Sequence, residues 1–340
     1  MTLLYSLLDP LFFHTSHQSL VTSHWSLAFM MALAYLFPGQ GAQAVGMGKA
    51  FYDRFAESRD LYKRANLHLG FDVAALCFEG PLEELTKTEK CQPALFVTSL
   101  AAFAAFHAVA PSCKPVGSAG LSLGELTALT AADAFRFTDG LYLVQARADA
   151  MAECAAHQQG TMLAVIGLSR EALEEIGRQA GVVVANVNAP DQLVLSGSVE
   201  GIEQAEGLVK AKGAKRAIRL EVAGAFHSPL MQPAAATFKE ALAKVNIDPP
   251  TFPVISNVTG QPVLTSDEIR ELLVRQIVSP VLWEPSMRRL IQDGAAHFVE
   301  FPPARVLTGL LRKIDPSVKG ITIDEPSDLE KLSDLIKPTV

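Results

Sequence analysis

Ser122 lies in Gly120-Leu121-Ser122-Leu123-Gly124, a G-x-S-x-G motif with a strand expected before it and a helix after it. Flanking glycines let a serine occupy a strained strand-to-helix turn with its hydroxyl exposed as a nucleophile. The first N–H groups of the following helix, and the positive end of its dipole, would face a developing oxyanion. Taken alone, a serine here also reads as a simple helix N-cap. A serine nucleophile needs a base, which directs attention to the histidines. His14, His17 and His24 sit in an atypical leader, and His68, His107 and His157 have no polar partners nearby in sequence. His227 stands in the loop Gly224-Ala225-Phe226-His227-Ser228-Pro229. A lone loop histidine is more often a surface residue than a catalyst, so spacing alone does not promote it.

Other chemistries find little support. Cys77, Cys91, Cys113 and Cys154 are scattered, with no C-x-x-C pair and no histidine cluster at ligand spacing. A disulfide scaffold or a metal site is therefore not expected; buried thiols in a reducing, cytoplasmic compartment are. The net charge of -7 argues against a nucleic-acid binder, which carries a concentrated basic field. One basic stretch, Lys210, Lys212, Lys215, Arg216 and Arg219, stands out in this acidic chain and reads as either a solvated helix end or a docking patch.

The elements that must position these residues follow from pattern. Leu33–Phe37 reads as a short buried strand ending in Pro38-Gly39-Gln40-Gly41-Ala42-Gln43. Pro93 opens a buried helix to Ala110, Lys114–Gly120 reads as a strand, and Leu123–Ala132 as a helix. Residues 160–222 then give strand Met162–Ile166, helix Ser169–Ala180, strands Val182–Asn186 and Gln192–Ser196 around the turn Asn188–Asp191, helix Val199–Gly213 and strand Ala217–Val222. That β-α-β-β-α-β order is ferredoxin-like, and it interrupts a larger α/β body. Further strands are expected at Val254–Asn257 and His297–Glu300. Residues 1–31 form a leader without Lys or Arg, unlike a secretory or mitochondrial signal, and the recognisable chain is expected to start at Met31. The apolar run Trp25–Phe37 is too short to span a bilayer, so no membrane association is expected.

Five segments in order carry a resemblance. Phe37-Pro38-Gly39-Gln40-Gly41-Ala42-Gln43, Gly120–Glu125, the Arg147 segment, Phe226-His227-Ser228 and Val274-Arg275-Gln276 closely resemble the malonyl-CoA:acyl carrier protein transacylases and the acyltransferase domains of polyketide and fatty acid synthases. The resemblance spans roughly residues 33–320. It implies an α/β-hydrolase-like large subdomain (32–159 and 223–320), an inserted ferredoxin-like small subdomain (160–222) and a tail (321–340), with the active site between the subdomains. It implies Ser122 as nucleophile and His227 as general base, oriented by a backbone carbonyl from the Gln276 region. By the same resemblance Gln40 and the Leu123 N–H form the oxyanion hole, and Arg147 grips the malonyl carboxylate. Phe226 narrows the pocket against a 2-methyl branch, and Asn188 supports the site from the small subdomain.

The implied partners are malonyl-CoA and acyl carrier protein, the latter docking at Lys212, Lys215, Arg216 and Arg219 of a monomer, with no cofactor and no metal. Two positions depart from the family: Leu121 stands where histidine is usual, and Phe301-Pro302-Pro303-Ala304 replaces a late Gly-Pro-Gly segment beside the pocket. The rivals are a free-standing polyketide acyltransferase, an α/β-hydrolase-type esterase or thioesterase, and a non-catalytic carrier-binding protein. An esterase would place an acidic triad member between Ser122 and His227 in chain order and gives no reason for Arg147 or Gln40.

Overall fold

The computed structural model describes residues 33–336, so the expected leader lies outside the described residues. Two sheets organise the chain. The larger has the order β10-β9-β1-β2-β7-β8, built from β1 (Leu33–Phe37), β2 (Gly117–Gly120), β7 (Val254–Ile255), β8 (Pro262–Val263), β9 (His297–Glu300) and β10 (Lys319–Thr322). All its pairings are parallel except β7 with β8, and β1 aligns Phe37 with Gly120. The β1 sequence LAYLF is apolar throughout because both its faces are covered, as parallel strands require. Ala34 and Leu36 face a cluster with Trp283, Met287 and Leu290. Tyr35 and Phe37 point the other way, where Phe301 stacks on Phe37 at 5.2 Å and meets Tyr35 edge-on at 5.7 Å.

The smaller sheet is antiparallel, with order β4-β5-β3-β6: β3 (Thr161–Ile166), β4 (Val183–Ala189), β5 (Gln192–Gly197) and β6 (Arg216–Arg219). Helices Arg170–Ala180 and Val199–Ala211 pack on it through Leu173, Ile176, Ile202 and Val209. Ser169 and Ser198 cap them, accepting from Ala172 N–H and Gly201 N–H. A segment of the large body stitches the two sheets together. Val187 N–H donates to Val281 O at 2.9 Å, Val281 N–H to Ala185 O at 2.8 Å, and Leu282 N–H to Asn257 O at 2.8 Å.

Several elements differ in extent from their sequence expectation. The helix expected from Pro93 runs over Thr88–Val109, with Pro93 inside it. Proline frees the carbonyl four residues back, and Gln145 Nε2 donates to that Glu89 oxygen at 3.3 Å, so the helix continues. This helix is long and apolar enough to cross a membrane, but 83% of its apolar window is buried, and it serves as a core element. Strand β4 extends through Asn188 to Ala189 because its outer edge is bonded by Val281. Only Gly117–Gly120 of the expected strand from Lys114 joins the sheet, since Pro115 has no N–H to offer a ladder. The expected tail, 321–340, carries the end of β10 and helix Pro326–Ile336, which buries Leu329 and Leu332 at helical spacing.

Candidate active site

Ser122 sits between β2 and helix Leu123–Ala131 with φ 54 and ψ -103, a positive-φ conformation outside the regular regions that costs a non-glycine residue energy. Three contacts hold it there. Ser122 N–H donates to Asn257 Oδ1 at 2.7 Å, Asn257 Nδ2 donates to Gly120 O at 2.8 Å, and Leu121 N–H donates to Phe37 O at 3.0 Å. The glycines of the motif are there for closeness: a Cβ on Gly120 would run into the Gly124 carbonyl, and one on Gly124 into Phe37 O. Gly39 packs equally tightly on Leu121 O, which brings the Gln40 loop against the elbow. The serine side chain makes no N-cap hydrogen bond, so the plain capping reading fails.

The Ser122 hydroxyl instead meets His227 Nε2 at 2.7 Å. His227 Nδ1 lies 2.8 Å from Gln276 O, and a carbonyl only accepts, so Nδ1 carries the proton. That leaves the Nε2 lone pair aimed at Ser122 O–H. Arg147 Nη2 donates to Ser122 Oγ at 2.9 Å, which fixes the same polarity from the other side. The imidazole is buried, and burial first, then the Arg147 charge, lowers its pKa to about 4. It is therefore uncharged at neutral pH.

Behind this pair lies a buried polar layer. Arg147 Nη1 donates to Gln92 Oε1 at 2.6 Å and Nη2 to Gln276 Oε1 at 2.9 Å. Gln276 Nε2 donates to Ser122 O at 2.8 Å and to Glu125 Oε2 at 2.7 Å, and Glu125 Oε2 also accepts Asn257 N–H at 3.2 Å. Burial lowers Arg147 to about 10 against the opposing pull of Glu125, so it stays cationic at neutral pH. Burial likewise raises Glu125 to about 7, against its hydrogen bonds and Arg147.

A cleft of about 650 Å³ opens above these groups, between the two sheets. Ser122, His227, Arg147, Gln40, Leu123 and Phe226 all line it, so the structure brings these sequence candidates together. Gln276 stands behind the wall, its backbone oriented to His227 and its side chain to Arg147. Gln40 Nε2 reaches Thr88 Oγ1 at 3.3 Å. Asn188 joins the wall from β4, and its buried Oδ1 has no partner among the described residues. Leu121 is also in the wall. The Pro302-Pro303 segment is not among the lining residues; Ser99 Oγ donates to Pro302 O at 2.6 Å.

The basic residues divide. Lys212 pairs with Glu175 and Arg219 with Glu203 and Glu206, whereas Lys215 and Arg216 are exposed with no ion pair among the described residues. Arg219 reaches the cleft rim. Sequence reasoning missed Asn257, Gln92 and the part played by Glu125. A carboxylate inside the otherwise apolar helix Leu123–Ala131 was the available signal, because such a group is rarely buried without a task.

The profile of the acyl transferase domain family matches residues 34–322. The chain belongs to this family. Among its relatives, the malonyl CoA-acyl carrier protein transacylase of Bacillus subtilis (strain 168) is 41% identical over 306 residues, 88% of this chain and 96% of that protein. The crystal structure of acyl-carrier-protein-S-malonyltransferase from Bartonella henselae superposes with a TM-score of 0.87 at 36% identity, covering 90% of this chain and 99% of that one. A type II PKS acyl-carrier protein in complex with its malonyl-transacylase gives a TM-score of 0.86 at 34% identity, over 89% of this chain and 99% of the matched chain.

Proposed function

We propose that this acyltransferase moves malonyl from malonyl-CoA to the phosphopantetheine thiol of acyl carrier protein, supplying fatty acid synthesis. The observation that carries the reading is a buried guanidinium 2.9 Å from a serine that is itself hydrogen-bonded to a neutral histidine. His227 Nε2 takes the Ser122 proton as Oγ attacks the thioester carbon. The oxyanion is held by Gln40 and the Leu123 N–H, the first in its helix and without an intrahelical acceptor. CoA leaves as a thiol carrying the proton from His227. The carrier thiol then gives its proton to His227, attacks the ester and restores Ser122. Arg147 meets the malonyl carboxylate, which would otherwise be buried unpaired at a cost of several kcal/mol.

The His227 partner is a backbone carbonyl rather than a carboxylate, which disfavours the esterase alternative. Phe226 leaves little room for a branch beside the acyl carbon. The enzyme acts as a monomer in this reading. Lys215 and Arg216, with Lys212 and Arg219, offer an acidic carrier a positive approach. The four cysteines are free and buried, as suits a cytoplasmic enzyme.

Incubation with malonyl-CoA should add one malonyl mass to the peptide containing Ser122. Ser122→Ala should remove it, and His227→Ala should slow it by about 10²–10⁴-fold. An adduct on a cysteine, or none, refutes the reading; transfer onto a polyketide carrier alone would move the enzyme to that pathway.

A further inference from the structure

We infer that Glu125 is a positioning residue for acyl selectivity, acting through the Gln276 side chain to hold Arg147 in the plane that receives the acyl carboxylate. This rests on the malonyl-transfer reading. Arg147 can only donate, so the Gln276 atom that faces Nη2 must be Oε1. The amide is held that way round only if Nε2 faces acceptors on its other side. Three are present: Ser122 O at 2.8 Å, Glu125 Oε2 at 2.7 Å and, at the longer distance of 3.5 Å, Asn257 Oδ1. The Glu125 carboxylate is the nearest of the three and the stronger side-chain acceptor, and it is fixed in turn by Asn257 N–H. Glu125, Arg147 and Gln276 are each about 1% exposed, so no solvent competes for these bonds. If the carboxyl is lost, the Gln276 amide can turn and present an N–H to the guanidinium. Arg147 would then swing from the carboxylate position while Ser122, His227 and the Gln276 carbonyl remain in place.

Glutamine at 125 keeps an acceptor at the Oε2 position, and its N–H₂ takes the place of Oε1 near Ser256. The test is single-turnover acylation of Ser122 by malonyl-CoA and by acetyl-CoA, followed by intact mass. In Glu125→Leu the half-saturating malonyl-CoA concentration should rise about 10- to 100-fold, the loss expected for a misplaced bond to a charged group. The malonyl plateau rate and the acetyl reaction should stay within about threefold, and Glu125→Gln should restore most of the malonyl affinity. Equal losses for both donors, or a Glu125→Gln variant as poor as Glu125→Leu, overturn the inference. Should Glu125→Leu fail to fold, Glu125→Met removes the same carboxyl and must give the same malonyl-specific loss; equal losses there refute it too. Failure of the unsubstituted protein to malonylate Ser122 at all would instead sink the underlying reading.

Discussion

The His227 environment makes a quantitative claim about pH. Only the neutral imidazole can take the Ser122 proton, so acylation should track its unprotonated fraction. With a pKa lowered to about 4, that fraction at pH 5 is about 0.9; for an ordinary imidazole near 6.5 it is about 0.03. The difference in rate is about 30-fold at pH 5 and nearly vanishes above pH 7.5. Single-turnover malonylation of Ser122, measured from pH 8 down to 4.5, should therefore stay almost level where an exposed histidine would have lost most of its activity. Glu125, raised to about 7, titrates inside this window, so the series should be run on Glu125→Gln as well. An inflection near 6.5 that persists in Glu125→Gln would refute the claim that burial and Arg147 keep His227 neutral.

Two more outcomes follow from the site. Arg147→Ala should lower malonyl transfer by about 10²–10⁴-fold, the worth of two charge-assisted bonds at roughly 1.5–3 kcal/mol each, while acetyl transfer is kept; Lys at 147 should recover only part, and equal loss of both donors would make Arg147 structural. Reversing Lys215 and Arg216 to Glu should raise the apparent KM for the carrier and flatten its salt dependence without changing self-acylation by malonyl-CoA; unchanged carrier kinetics would leave the stretch a solvated face.

How much of this was legible in the chain depends on the range of each interaction. The elbow was readable because Gly120 answers a local steric demand from Gly124 within five residues, even though Gly124 itself answers to the distant Phe37 carbonyl. The small sheet was readable because strand and helix periods alternate cleanly over residues 160–222. His227 was not, on spacing alone: its distinction is burial against Ser122, 105 positions away. Recognition of the ordered motifs supplied what local pattern could not. Asn257 stayed hidden for a similar reason, because it acts on the Ser122 and Gly120 backbone across 135 or more residues. Element ends failed where a distant group changed the local rule, as Gln145 does at Pro93 and Val281 does along β4.

The seam at Val281–Leu282 constrains how this enzyme can be remade. The same two residues bond the outer edge of β4 and the Asn257 carbonyl, and Asn257 in turn holds the Ser122 amide. The small sheet is thus not a detachable lid: its registration along β4 is transmitted in a few bonds to the nucleophile. An engineer who transplants residues 160–222 from a relative to change the acyl group accepted would leave a foreign strand edge facing a native seam. A slip there would cost turnover with every donor. A productive graft of the small sheet has to carry its own 281–282 segment, so the transferable unit in this fold is two pieces of chain about 60 residues apart.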